Sequence, residues 1–330
     1  MPILDGQDPA AVAAAADRLA AGGLVGFATE TVYGLGARAD DDAAVAAIFA
    51  AKGRPADHPL IVHVATLDDA RHFGDLSGPA AQRLADRFWP GPLTLIVPRR
   101  PGVGAAAAAG QSSIGLRMPS HPVARALLQA AAARGVRGVA APSANRFGRI
   151  SPTRAVHVAS EFGPELPVLD GGDCELGIES AIVDCSRAAP ALLRPGVLDR
   201  TQIEAVLGAG LRPPGADAPR ASGTLAAHYA PEAKLRLMDA AMLRSAFEVL
   251  AGGQPPQGLA VYSRTVRQAP RGITLRLMPD QAADVAHELF AVLRSFDAGG
   301  ARLIWVETPP PGPAWDGVRD RLARAAAAAA

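Results

Sequence analysis

The stretch Leu24-Val25-Gly26-Phe27-Ala28-Thr29-Glu30-Thr31-Val32-Tyr33-Gly34-Leu35-Gly36 is where the chain first declares an α/β fold. Residues 24–28 form an apolar run too short for a helix. They follow Gly22-Gly23 and break at once into Thr29-Glu30-Thr31, the pattern of a buried strand that ends in a functional loop. Gly34-x-Gly36-x-x-Ala39 matches a dinucleotide-binding fingerprint only in outline. Its glycines begin six residues past the apolar run, and the next apolar run ends in His63-Val64-Ala65, with no acid to hold a ribose. That excludes the dinucleotide reading. No Gly-x-x-x-x-Gly-Lys-Ser/Thr loop occurs either, so a nucleotide would have to be held by groups scattered over strand ends.

Downstream, Asp40 to Asp42 lead into Val45, Ile48 and Phe49 at helical spacing, and Lys52 closes that helix. Short apolar runs bounded by turn formers predict strands over residues 60–64, 93–97, 113–118, 136–141, 166–169, 181–183 and 191–193. Ser120 is the expected N-cap of a helix with Pro122 in its first turn and Val123, Leu127 and Leu128 on one face. Thr201 and Glu204 suggest a capping box for a helix carrying Ile203, Val206 and Leu207. Strands and helices mixed in this way predict an α/β sheet domain over residues 1–208.

Residues 209–231 are rich in Gly, Pro and Ala and read as an interdomain linker, although His228-Tyr229-Ala230-Pro231 is too specific for a spacer. Beyond it, predicted strands at 235–238, 259–262, 273–277 and 303–306 alternate with helical stretches near 240–250, 281–297 and 314–324. This predicts a smaller, Rossmann-like α/β domain over residues 232–330. The alanine runs 105–109 and 325–330 are low in complexity and are expected in a flexible loop and a frayed terminus.

Length agrees with this division, since 330 residues at about 150 per domain make two. The chain is 49% hydrophobic but only 5% aromatic, so its cores should be aliphatic. Thirty-three basic and 32 acidic residues leave a net charge of +1, which argues against a broad electrostatic nucleic-acid surface. No window offers the roughly 20 apolar residues of a membrane span, and residues 1–7 lack the pattern of an export signal. Cys174 and Cys185 make no Cys-x-x-Cys pair, which argues against a zinc site or disulfide framework and for a reducing cytoplasm.

Several clusters could carry chemistry. Lys52-Gly53-Arg54-Pro55 sets an ammonium and a forked guanidinium around a glycine, which suits a polyphosphate; a helix-dipole lysine and a solvated arginine explain the same residues. Ala141-Pro142-Ser143-Ala144-Asn145, with Gly148 and Ser151-Pro152-Thr153, could bind phosphate or ribose at a strand's carboxyl end, or simply form turns. Arg117, in an apolar strand, must find an anion, and so must Arg194 at the end of residues 191–193. A structural salt bridge would serve either one, but two arginines at strand ends make a shared anionic ligand more attractive. His63 in an apolar strand is by default a satisfied core histidine. Ser180 has no nucleophile elbow and no adjacent base, which argues against hydrolysis. No His-x-x-x-His pair accompanies His58, His63 or His228, so no protein-held metal is expected.

Taken in order, residues 29–36, Lys52-Gly53-Arg54-Pro55, Leu60-Ile61-Val62-His63, Trp89-Pro90-Gly91-Pro92-Leu93-Thr94, Arg117-Met118-Pro119, Ala141-Pro142-Ser143-Ala144-Asn145 and Leu193-Arg194-Pro195-Gly196 resemble the YrdC-like threonylcarbamoyl-AMP synthase family. The resemblance covers about residues 10–208, and His228-Tyr229-Ala230-Pro231 with the C-terminal domain resembles the longer, two-domain form. It implies an N-terminal YrdC-like twisted mixed open sheet with helices. It also implies that L-threonine, bicarbonate and ATP, with magnesium on the ATP phosphates, yield threonylcarbamoyl-AMP and pyrophosphate. The product would serve threonylcarbamoyl-adenosine formation in tRNA, passed on by tRNA threonylcarbamoyl transferase proteins in the cytoplasm.

By the same resemblance Lys52 and Arg54 are catalytic and, with Ser143 and Asn145, match the family's Lys-x-Arg and Ser-x-Asn signatures. Thr31, His63, Arg117, Ala141 and Ser180 match its threonine site. Arg54, His58, Ser113, Ser143, Ser151, Arg194 and Tyr229 match its ATP site. Three positions depart from the pattern: His58 stands where asparagine is frequent, Ala181 where threonine follows the serine, and Ser222 where proline precedes the linker glycine.

The implied chemistry suits these residue types. A carbamate formed from threonine's amine and bicarbonate is already an anion, so its attack on the α-phosphorus needs positioning and charge stabilisation more than a base. Because a carbamate decomposes in water the site should close, and a linker bringing Tyr229 over the nucleotide would be a lid. Two rivals stand beside this reading. An RNA-binding or ribosome-maturation module would need the basic and aromatic interleaving that the chain lacks. A carbamoyl adenylate transferase acting on another acceptor would be indifferent to threonine.

Overall fold

The computed structural model describes residues 3–215, 217–253 and 256–328. Met1 and Pro2 of the N-terminal stretch, Ala216 of the expected linker and the last two alanines of the 325–330 run lie outside the described residues. The chain divides into two compact units. The first runs to Phe147 and resumes over Ser151–Thr224; the second takes Gly148–Ile150 and the chain from Leu225 on.

The first unit contains β1 (Ile3–Asp5), α1 (Pro9–Ala20), β2 (Val25–Phe27), β3 (Gly34–Arg38), α2 (Asp42–Lys52), β4 (Ile61–His63), α3 (Leu67–Phe73) and α4 (Pro79–Phe88). There follow β5 (Leu93–Pro98), β6 (Ser113–Arg117), α5 (Pro122–Ala132), β7 (Val139–Ala140), α6 (Ala155–Phe162), β8 (Val168–Asp170), β9 (Ala181–Asp184), β10 (Ala191–Arg194) and α7 (Arg200–Leu207). Its ten strands make one mixed sheet in the order β1-β8-β2-β3-β7-β4-β6-β5-β9-β10. β4 and β6 run parallel, with His63 directly opposite Arg117, while β3 and β5 oppose their neighbours β7 and β6. Aliphatic cores cover both faces, one around Leu35, Ile48, Leu95 and Leu116, the other around Leu19, Val25, Leu127 and Leu169.

Local chemistry explains the boundaries. Asp41 caps α2 by accepting from the backbone N–H groups of Ala43 and Ala44, and Gly53 ends it at φ +64°, a left-handed turn that glycine enters without strain. Two expected caps are displaced. His121, not Ser120, caps α5, with Nδ1 accepting from Val123 N, because Pro122 already occupies the first helical position. Asp199 and Gln202 form the capping box of α7, while Glu204 instead accepts from the backbone of Leu211.

The glycines of the rejected fingerprint lie within β3, where a Cβ on Gly36 would come within 2.8 Å of Val139 and 2.9 Å of Phe27. They serve close strand packing. The 105–109 run is not free of the core either, since Ala107 and Ala108 are fully buried and Ala107 O accepts from Leu60 N. Parts of the expected 209–231 linker also pack on the first unit: Arg212 bridges to Ala191, and Ala218 and Ala221 lie against Ile61, Ile96 and Ile182.

The second unit has β11 (Lys234–Met238), α8 (Ala240–Ala251), β12 (Leu259–Ser263), β13 (Thr274–Leu277), α9 (Ala282–Ala298), β14 (Leu303–Glu307) and α10 (Asp316–Ala327). All four strands are parallel, in the order β11-β14-β12-β13. The terminal alanine run continues α10 to Ala327 instead of fraying at Ala325. Among the described residues no helix is long and apolar enough to cross a membrane.

Candidate active site

The turn after β2 is built from hydroxyls. Thr29 Oγ1 donates to Val32 O and shares a 2.9 Å hydrogen bond with Thr31 Oγ1, which in turn accepts from Arg117 Nη1 at 2.9 Å. Arg117 Nε donates to Gly91 O at 3.3 Å, and Nη2 lies 2.7 Å from Glu30 Oε1. Burial alone would push the Glu30 carboxyl up, but the Arg117 guanidinium overrides it and holds the carboxyl below its ordinary range. His63 packs edge-on to Phe27, and its Nδ1 lies 3.2 Å from Ile61 O. Burial, with Arg117 adjacent, pushes its pKa down to about 3, so the imidazole is neutral. Ala141 is buried alongside, its N–H donating to Ile61 O.

A second cluster begins at the end of α2. Lys52 Nζ is buried and donates to Ser143 O at 2.6 Å and to Asn145 O. Burial, and then the nearby Arg54 charge, push its ammonium well below the ordinary lysine range. Lys52 therefore acts first as a clamp on the 143–145 turn. Arg54 Nη2 donates to Pro59 O, and its guanidinium lies 5.8 Å from the Phe147 ring centroid. His58 meets the same ring edge-on, with its pKa lowered by burial and by Arg54.

A third cluster joins β5, β9 and β10. Thr94 and Ser180 share a 2.8 Å hydroxyl hydrogen bond. Arg194 donates to Ser180 O through Nε and Nη2, and to Ser222 O through Nη1. Ser151 Oγ donates to the buried Glu179 beside Ser180. A narrow pocket opens here, lined by Pro59, Thr94, Ser113, Ile182, Arg220 and Ser222.

The three clusters are linked. Gly34, after the hydroxyl turn, bridges to Ser143; Arg54 holds Pro59 at the cavity wall; Arg117 reaches Gly91 just before β5. Thirteen of the fourteen residues singled out from the sequence thus fall in the first unit. Tyr229 falls in the second, buried at φ +61° with its ring stacked on Phe290 and the Arg321 guanidinium 5.3 Å from its centroid. Glu30, Thr94, Glu179 and Phe147 join the site without having been assigned a role. Glu30 and Thr94 did carry a signal, each being a polar side chain set against an apolar strand.

A family model described as "Telomere recombination" matches residues 17–196, and one described as "Threonylcarbamoyl-AMP synthase, C-terminal domain" matches residues 198–327. The threonylcarbamoyl-AMP synthase of Bacillus subtilis is 38% identical over 336 residues, covering 98% of this chain and 94% of that protein. Its counterpart from Pyrococcus abyssi is 38% identical over 296 residues, covering 87% and 85%. The solved structure titled "Crystal structure of P. abyssi Sua5 complexed with L-threonine" is similar with a TM-score of 0.86 and 35% identity, covering 98% of this chain and 96% of that one.

Proposed function

This chain belongs to the YrdC-like threonylcarbamoyl-AMP synthase family, whose members are enzymes, and from that premise we propose that it converts L-threonine, bicarbonate and ATP into threonylcarbamoyl-AMP and pyrophosphate. The observation that carries this reading is the buried Arg117, oriented by Thr31 and Gly91 O beside a neutral His63, within a network that also holds Lys52 and Arg54. In this account Arg117 takes the carboxylate of the amino acid through its remaining N–H groups, a charge-assisted bond in a site that excludes water. Thr31, Ala141 and Ser180 surround the rest of the substrate.

The threonine amine and bicarbonate combine to a carbamate and water. The carbamate oxygen then attacks the α-phosphorus of ATP, and pyrophosphate leaves with its electron pair. Arg54, Arg194 and the Ser113, Ser143 and Ser151 hydroxyls are assigned to the nucleotide, with Lys52 and Asn145 shaping the 143–145 turn. Catalysis then rests on positioning and on cations facing the developing charge. Magnesium is assigned to the ATP phosphates, not to protein side chains. Magnesium there would neutralise phosphate charge. The adenylate would pass to proteins that modify tRNA.

Pyrophosphate release from ATP, measured with each amino acid in turn and with or without bicarbonate, tests the reading. The expected result is release that requires both L-threonine and bicarbonate. Release supported by carbamoyl phosphate and indifferent to threonine would overturn it.

A further inference from the structure

A buried amino-acid zwitterion presents two charges, and Arg117 answers only one of them. Taking the ammonium out of water is costly unless an anion pairs with it. In the group formed by Thr31, His63, Arg117, Ala141 and Ser180 no side chain is anionic: His63 is held neutral, and the others are hydroxyls, a methyl and a cation. Two carboxylates adjoin this group: Glu179, next to Ser180, which already accepts from Ser151 Oγ, and Glu30, 3% exposed and 2.7 Å from Arg117.

Its surroundings are those of a group kept available. A carboxylate offers about four acceptor positions, and among the described residues no other side chain besides Arg117 is placed on those of Glu30. The Arg117 charge and the backbone N–H groups of Glu30 and Ser120 are what steady it. Nor is Glu30 needed to orient Arg117, because Gly91 O and Thr31 Oγ1 already fix the guanidinium from two sides. The other titratable neighbours are His121, whose pKa is lowered by burial and whose Nδ1 accepts from Val123 N, and Cys174, whose thiol burial pushes up; neither supplies a negative charge.

We propose that Glu30 recognises the α-ammonium of the amino-acid substrate, so that on binding the Arg117–Glu30 pair becomes two ion pairs, carboxylate on Arg117 and ammonium on Glu30. This deepens the reading above and rests on it. Glu30 then selects amino acids against hydroxy acids of the same shape, a discrimination that hydroxyls alone would not give.

The test uses the full chain and isothermal titration with L-threonine and with (R)-3-hydroxybutanoate, which keeps the carboxylate and hydroxyl but lacks the amine. Glu30→Gln should weaken L-threonine by about tenfold or more and leave (R)-3-hydroxybutanoate unchanged or tighter, since loss of one charge-assisted bond is on that scale. Equal weakening of both ligands would mean that Glu30 only holds Arg117, and no weakening of either would mean that it does nothing for the substrate; both overturn the proposal. Should Glu30→Gln fail to fold, Glu30→Asp decides, because withdrawing the charge by one methylene should narrow the preference for L-threonine over the hydroxy acid. An unchanged preference would overturn the proposal. If the wild-type chain itself binds no L-threonine, the functional reading falls instead, and the two failures are thereby distinguished.

Discussion

Glu30 in the first unit and Glu307 in the second are both buried carboxylates at or just past strand ends, yet the chain treats them in opposite ways. Glu307 closes β14 and accepts from Ser263 Oγ at 2.6 Å, Arg264 N at 2.9 Å, Thr265 N at 2.8 Å and Thr265 Oγ1 at 2.8 Å. Burial would raise its pKa, but these bonds outweigh it and hold the carboxyl below its ordinary range. The carboxyl ends of a parallel sheet are where open α/β sheets hold ligands, and here the acceptor positions are taken by the chain's own donors. Glu30, by contrast, has the Arg117 cation 2.7 Å away as its one side-chain partner among the described residues, steadied further by backbone N–H groups. The four donors on Glu307 come from its own unit, which makes that carboxylate structural.

The comparison can be broken at its strongest point first. Arg117→Lys keeps the charge but loses the fork, and should lower threonine-dependent pyrophosphate release on the order of 100-fold. A near-normal rate would show that the first cluster is structural too. On the other side, Glu307→Ala should cost about 2–3 kcal/mol of stability by denaturant titration, while pyrophosphate release at a permissive temperature changes little. The sign of the pH effect follows from the lowered pKa of Glu307. Its contribution is present above the ordinary carboxylate range and is lost as pH falls through the folded-state pKa. The stability gap between the wild-type chain and Glu307→Gln should therefore close in acid. Ser263→Ala, which removes one of the four donors, should show the smallest effect, about 1 kcal/mol.

Much of this architecture is written in short-range pattern. The apolar runs at 93–97, 113–118 and 303–306 became β5, β6 and β14 with shifts of a residue or so, because buried strands bounded by turn formers leave little choice. The helices α1 and α4 leave little mark in the sequence, the one being rich in alanine with weak contrast between faces, the other short between prolines and glycines. What a side chain does with its last atom was less legible. Lys52 reads as a phosphate ligand, and its ammonium also donates to two carbonyls more than 90 positions along the chain, a pairing that local sequence does not encode. The same holds for the expected 209–231 linker, whose composition suggests a spacer but whose small Ala218 and Ala221 lie on the first unit. The apolar strand marked out Arg117, family resemblance added Thr31, and only the three-dimensional contact with Arg117 brought in Glu30.

The central claim is that one enclosed cluster in the first unit brings an amino acid, bicarbonate and ATP into a single reaction. Mass spectrometry of the product formed from L-threonine, ATP and ¹³C-bicarbonate tests it most directly. The account predicts an adenylate that carries both the threonyl group and the label, formed together with pyrophosphate. An adenylate without the label, or no adenylate while ATP is consumed, would contradict it.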